Sequence, residues 1–135
     1  MIVMVCVDDR GGMMFHQRRQ SQDRVLRAHV LAEAEHHTLW MSTYSFRQFV
    51  DAPPGRIKVD ENFLEQAGED DFCFVEDRPL KPWRDSIEML IVFRWNRSYP
   101  ADVWLDLSLK EWTLLETEEF SGSSHKIITK EVYKR

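Results

Sequence analysis

The chain has 135 residues, of which 43% are hydrophobic, 30% charged and 12% aromatic. That is one domain's length, residues 1–135, and the mix excludes a disordered, collagen-like or low-complexity chain. Eighteen Lys plus Arg against 23 Asp plus Glu leave a net charge of −5, so the overall basic footprint of a nucleic-acid binder is missing and nucleic acid is not an expected partner.

Other classes fall away on motif grounds. No apolar run approaches the ~18 residues of a membrane span, so no membrane partner is expected. Cys6 and Cys73 stand alone in apolar runs and read as small buried hydrophobes. Two distant thiols without a signal peptide suit a reducing compartment, so the expected location is cytoplasmic. No C-x-x-C occurs, and His36-His37 are neighbours rather than four apart, so no metal site is expected. Five scattered His cannot supply a metal-nuclease cluster. Neither a Gly-x-Ser-x-Gly elbow nor a P-loop is present.

Met1 to Val7 reads as a buried interior strand, ended by turn chemistry at Asp8 to Gly12. Gln17 to Arg19 reads as a basic loop. Ser21 is the expected N-cap of a helix to about Glu35, with Val25, Leu26, His29, Val30 and Ala34 as its apolar stripe. Thr38 to Met41 is a short strand, after which Ser42 or Thr43 caps a helix to about Val50. Pro53-Pro54-Gly55 breaks the chain. Ile57 to Val59 is a short strand, and Asp60 caps a helix over 61–67. Phe72 to Val75 is a buried strand, with Glu76 and Asp77 exposed at its end. A polar loop runs to Ser86. Ile87 to Trp95 and Val103 to Asp106 are further strands, and Trp95 and Trp104 are expected to fill core. Trp112 to Thr117 and Lys126 to Tyr133 alternate like an antiparallel terminal pair. The order predicts an α/β fold: a mostly parallel central sheet flanked by helices, closed by an antiparallel C-terminal edge hairpin.

These residues, in this order, resemble the dihydrofolate reductase family. Val7-Asp8 followed by Gly12-Met13 matches the family's first strand and its mobile loop. Asp23 falls where the family's first helix opens with the acid that holds a pterin ring. Leu39-Trp40-Met41, Pro54-Gly55-Arg56 and the stretch from Asp102 to Trp112 match further family pieces. The resemblance implies a dihydrofolate-reductase-like fold, with Asp23 as the catalytic candidate. The ligand-binding candidates are Arg18, Arg19, Arg56, Met13 and Ser45. The implied partner is a small anionic or heteroaromatic ligand.

The departures from the family pattern fall on the cofactor side. The family's glycine and arginine after the second strand are replaced by Ser42-Thr43. Its paired glycines after the central strand are replaced by Glu76-Asp77. Carboxylates there would repel a pyrophosphate and add side chains where backbone must approach it. The segment around Ile57 is also short, so the chain reads as a shortened, divergent member.

The first expectation is therefore a ligand-binding or regulatory module that holds no cofactor and lacks NADPH-dependent reductase activity. Whether it is an enzyme stays open. The second reading is a nicotinamide- or flavin-dependent reductase of a pteridine- or pyrimidine-like substrate. The third is a protein-interaction domain, with a homodimer formed through an exposed sheet edge.

Overall fold

Alternation along Ile2–Val7 (β1) decides the layering. Val3, Val5 and Val7 pack into one apolar cluster, while Met4 belongs to a second on the opposite face. A strand buried on both faces needs neighbours on both sides and cover above and below. The computed structural model, which describes residues 1–135, supplies both.

The chain continues through Gly12–Phe15 (β2), Arg18–Arg19 (β3), Arg24–Glu33 (α1), Leu39–Met41 (β4) and Thr43–Phe46 (α2). Ile57–Val59 (β5), Phe63–Gln66 (α3), Phe72–Phe74 (β6) and Met89–Arg94 (β7) follow. Val103–Trp104 (β8), Thr113–Phe120 (β9) and Ile128–Lys134 (β10) complete it. Seven strands form one sheet in the order β5-β4-β6-β1-β7-β10-β9. The pairs β4/β5, β4/β6, β1/β6 and β1/β7 are parallel; β10 runs antiparallel to both β7 and β9. The expected α/β sheet with an antiparallel C-terminal edge is the observed one. No helix is long and apolar enough to cross a membrane.

α1 lies on the face of Met4, burying Leu26 and Val30 one turn apart against Phe74, Ile91, Phe93 and Val132. Phe74 and Phe93 are almost fully buried, and each contributes roughly 1.5–3 kcal/mol through apolar transfer. The other face is covered by Phe63 and Leu64 of α3, by Leu80, and by Met13 and Met14 of β2. On the same sheet face, Glu33 of α1 and two acids of β9, Glu116 and Glu118, converge on the buried Lys130 of β10 and pin the edge hairpin to the helix.

Several local expectations are corrected. The N-cap of α1 is Asp23, not Ser21; the Asp23 carboxylate accepts the N–H groups of Val25 and Leu26. Arg18 and Arg19 are strand rather than loop. They pair with Phe15 and Met14 across a tight turn in which His16 and Gln17 both take positive φ. This hairpin joins β8 in a second, three-stranded sheet, β3-β2-β8. Its strands of two to four residues are too short to show a period. The helix after β4 is one α-turn that tightens into a 3-10 turn over Arg47–Phe49. The helix expected over 61–67 is only Phe63–Gln66. Trp104 is half exposed on the small sheet rather than in the core, whereas Trp95 is buried as expected.

The two sheets meet through Asp8. One carboxylate oxygen accepts the N–H groups of Arg10 and Gly12; the other accepts Gln20 Nε2 and the N–H of Tyr99. Gly12 is packed into this knot. A Cβ there would stand 2.6 Å from Ala101 Cβ and 2.7 Å from Gln20 Nε2. Gly12→Ala is expected to destabilise the chain by about 1–3 kcal/mol through overpacking, read as a lower urea midpoint at unchanged slope. A midpoint equal to wild type would mean that the knot yields without cost.

Candidate functional site

In an open α/β sheet, ligands bind outside the carboxyl ends of the strands, where successive crossovers leave in opposite directions. Here the chain leaves β1 towards β4 on one side, and later steps from β6 over β1 to β7 on the other. The crevice therefore lies at the ends of β1, β4 and β6. Strand alternation splits the two carboxylates after β6. Glu76 continues the row of Phe72 and Phe74 on the α1 face, and Asp77 continues the row of Cys73 and Val75 on the other.

Glu76 is 7% exposed, not at the surface as expected from sequence. Arg19 grips it as a fork, Nε to Oε2 at 2.9 Å and Nη2 to Oε1 at 3.1 Å. Oε1 also accepts the Ser45 hydroxyl at 2.8 Å and Gln48 Nε2 at 3.2 Å. Arg19 stacks its guanidinium 4.4 Å from the centroid of the Tyr44 ring, and the Tyr44 hydroxyl accepts the Arg19 backbone N–H. Burial opposes the Arg19 charge, but the Glu76 carboxylate outweighs it and holds the guanidinium above its ordinary range. Behind this pair, burial and then Glu76 push the Cys6 thiol far above its usual value.

The first turn of α2 is also occupied. Glu61 accepts the Thr43 N–H at 2.8 Å, and the Ser42 hydroxyl accepts the Ser45 N–H at 3.2 Å. These contacts satisfy two of the donors that a helix start leaves open. The Thr43 backbone bond holds the Glu61 carboxyl below its ordinary value.

Beside the locked pair an open cleft of about 590 Å³ remains, lined by Met14, Gln17, Tyr44, Asp77, Asp102 and Val103. None of these six was picked out by sequence reasoning as a ligand contact. The one usable signal was Glu76-Asp77 after a buried strand.

The candidates chosen from sequence do not converge. Arg19 and Ser45 meet on Glu76. Met13 is buried in the core beneath the small sheet. Arg18 is exposed on the opposite face of β3 from Arg19. Arg56 donates to the Leu31 carbonyl at 2.8 Å and lines a polar recess with His36, His37 and Lys58. That recess sits at the amino ends of β4 and β5, away from the crevice.

Asp23 is fully buried, with four protein donors on its two oxygens. Oδ1 takes Val25 N and Leu26 N; Oδ2 takes the N–H of Ser124 at 2.7 Å and its hydroxyl at 2.9 Å. The bonds continue from Ser124 Oγ to His125 Nδ1 at 2.7 Å, and from His125 Nε2 to the Tyr99 hydroxyl at 2.8 Å. Trp95 stacks on the His125 ring at 4.6 Å. The Ser124 hydroxyl has one proton for Asp23 Oδ2 at 2.9 Å and the Gln22 carbonyl at 3.0 Å; with it directed at Asp23, Nδ1–H donates to Ser124 and Tyr99 donates to Nε2.

No family model matches the sequence, and no curated protein matches it. Among solved structures, dihydrofolate reductase from Enterococcus faecalis, complexed with NADP(H) and RAB-propyl, superposes with a TM-score of 0.72. The match covers 99% of this chain and 95% of that one at 11% identity. The chain has the dihydrofolate reductase fold. At that identity the likeness speaks for the fold alone. In this chain the crevice at the strand ends described above holds the Arg19–Glu76 pair.

Proposed function

We propose that this chain is a non-reductive ligand-binding module built on the dihydrofolate reductase fold. The observation that carries the reading is the Arg19–Glu76 fork at the end of β6, closed further by Ser45 and Gln48. The side chains around it do not suit a dinucleotide. A pyrophosphate approaching the end of β6 would meet Glu76 and Asp77. At the start of α2 it would meet Glu61, which already holds the Thr43 N–H that an anion would need. Asp23 serves the fold in this reading, because all its acceptor capacity joins α1 to the loop after β9.

Calorimetric titration of the purified chain with NADPH tests the reading. The expected result is no binding in the micromolar range, with a flat 340 nm trace when dihydrofolate or another pteridine is added. Micromolar NADPH binding, or NADPH oxidation that Asp23→Asn abolishes, would favour a reductase and sink the proposal.

A further inference from the structure

Resting on the non-reductive reading, we propose that the cleft beside Asp77 and Asp102 binds a small organic cation with a planar ring, of the arylalkylamine class. One wall comes from the large sheet, where Tyr44 follows β4 and Asp77 follows β6. The other comes from the small sheet, with Met14 of β2, Gln17 of its turn, and Asp102 and Val103 at β8. The volume of about 590 Å³ lies within the range of small-molecule sites, roughly 300–1,000 Å³.

The charge of the lining is one-sided. Asp77 and Asp102 are carboxylates, and no Lys, Arg or His is among the six lining residues. Each carboxylate keeps one oxygen without a protein donor. Asp77 Oδ1 accepts Arg78 Nε at 3.0 Å, and Asp102 Oδ2 accepts the His16 N–H at 3.0 Å; Asp77 Oδ2 and Asp102 Oδ1 are free. Arg78 is itself shared with Glu61 and with the face of the Phe63 ring.

The remaining lining suits a ring rather than a hydrated metal ion. Met14 and Val103 give an apolar bed, the thioether of Met14 being adaptable to an aromatic edge. Tyr44 already receives one cation, the Arg19 guanidinium, and its remaining surface lines the cleft. Gln17 adds an amide that donates and accepts. An ammonium drawn to these carboxylates, with its ring on Met14, Val103 and Tyr44 and a polar edge towards Gln17, matches the lining. A carboxylate or phosphate in the same place would face two like charges and find no cation among the lining residues. Of the two ligand types expected from sequence, anionic or heteroaromatic, this lining suits the ring and not the anion.

Calorimetry at low ionic strength tests the proposal with a matched pair of probes, tryptamine and indole-3-acetate, and with NADPH in a third arm. Tryptamine is expected to bind at least about tenfold more tightly than indole-3-acetate, which carries the same ring and the opposite charge. The double variant Asp77→Asn, Asp102→Asn is expected to lose at least about tenfold in tryptamine affinity with an unchanged circular dichroism spectrum. Should that variant fail to fold, Asp102→Lys at its exposed site gives the same readout. Equal binding of the two indoles, undiminished tryptamine binding by the variants, or no tryptamine binding would each overturn the proposal. A chain that binds neither tryptamine nor NADPH defeats this inference and leaves the non-reductive reading standing. NADPH binding defeats that reading itself.

Discussion

Replacing Glu76 with Ala is expected to cost roughly 3–5 kcal/mol, because it leaves a buried guanidinium without its partner. Arg19 is 17% exposed, and its backbone is held by pairing with Met14 in the small sheet. The Ser45 hydroxyl and the Gln48 amide lose the same acceptor. With an unfolding entropy of about 2.1 cal/mol/K per residue, the loss corresponds to a melting temperature lower by roughly 10–18 °C. The pair is not expected to be worth that much in absolute terms. Arg19→Met combined with Glu76→Leu should recover most of the stability, since two packed apolar side chains avoid the desolvation of both ions. Urea denaturation of the singles and the double measures this directly. A loss under about 1 kcal/mol for Glu76→Ala would mean that the fork behaves as a screened surface pair.

Acid is expected to act on a second buried carboxylate, Asp23. Burial works to raise the Asp23 carboxyl, but the N–H groups of Ser124 and Leu26 outweigh it and hold it far below its ordinary 3.8. A depressed folded value means that the unfolded chain binds more protons below 3.8. Stability from Asp23 is therefore complete above that pH and is lost as pH falls through the folded value. His125 acts in the same direction at higher pH. Burial first, then the nearby Arg97, lower it below 6.5, with Asp23 as a partial offset. Its contribution is complete above 6.5 and is lost as pH falls from 6.5 towards the folded value.

The melting temperature is thus expected to fall in two stages on acidification, the first starting near 6.5. His125→Gln should remove the first stage. Asp23→Asn should lose about 1–3 kcal/mol at neutral pH. Asn still caps a helix, but its amide would face the Ser124 N–H, donor against donor. Gly122→Ala belongs to the same contact, since its Cβ would stand 2.5 Å from Asp23 Oδ2. A melting temperature flat from pH 7 to 5 would show that His125 is not tied to folding.

The large sheet was legible in the sequence because its signals are local. β1, β6 and most of β7 are apolar runs, and β10 alternates after a Ser-Gly turn. The small sheet was not, because β3 and β8 are two residues each and exist only through their pairing with β2. Asp23 was noticed for its place before a helix, but the sequence does not say that Ser124, 101 residues later, fills its second oxygen. Glu76 was noticed for the wrong reason. Read as exposed, it argued by charge and by the side chain it adds; buried, it argues also by its fork with Arg19, 57 residues earlier. Tyr44, Gln17 and Asp102 are ordinary surface residue types, and only the meeting of the two sheets makes them neighbours.

The outermost strand has a consequence for the company this chain keeps. β9 is paired on one side only, and its other side offers backbone donors and acceptors to any extended chain. Leu114 and Leu115 lie half exposed on it. Yet Glu116, Glu118 and Glu119 follow at once, and Lys130 compensates only the first two. A second copy laid edge to edge would bring three more carboxylates into the same ribbon. Like charges thus cap the sheet, and any pairing of copies at this edge would have to overcome a repulsion that salt screens and protonation removes.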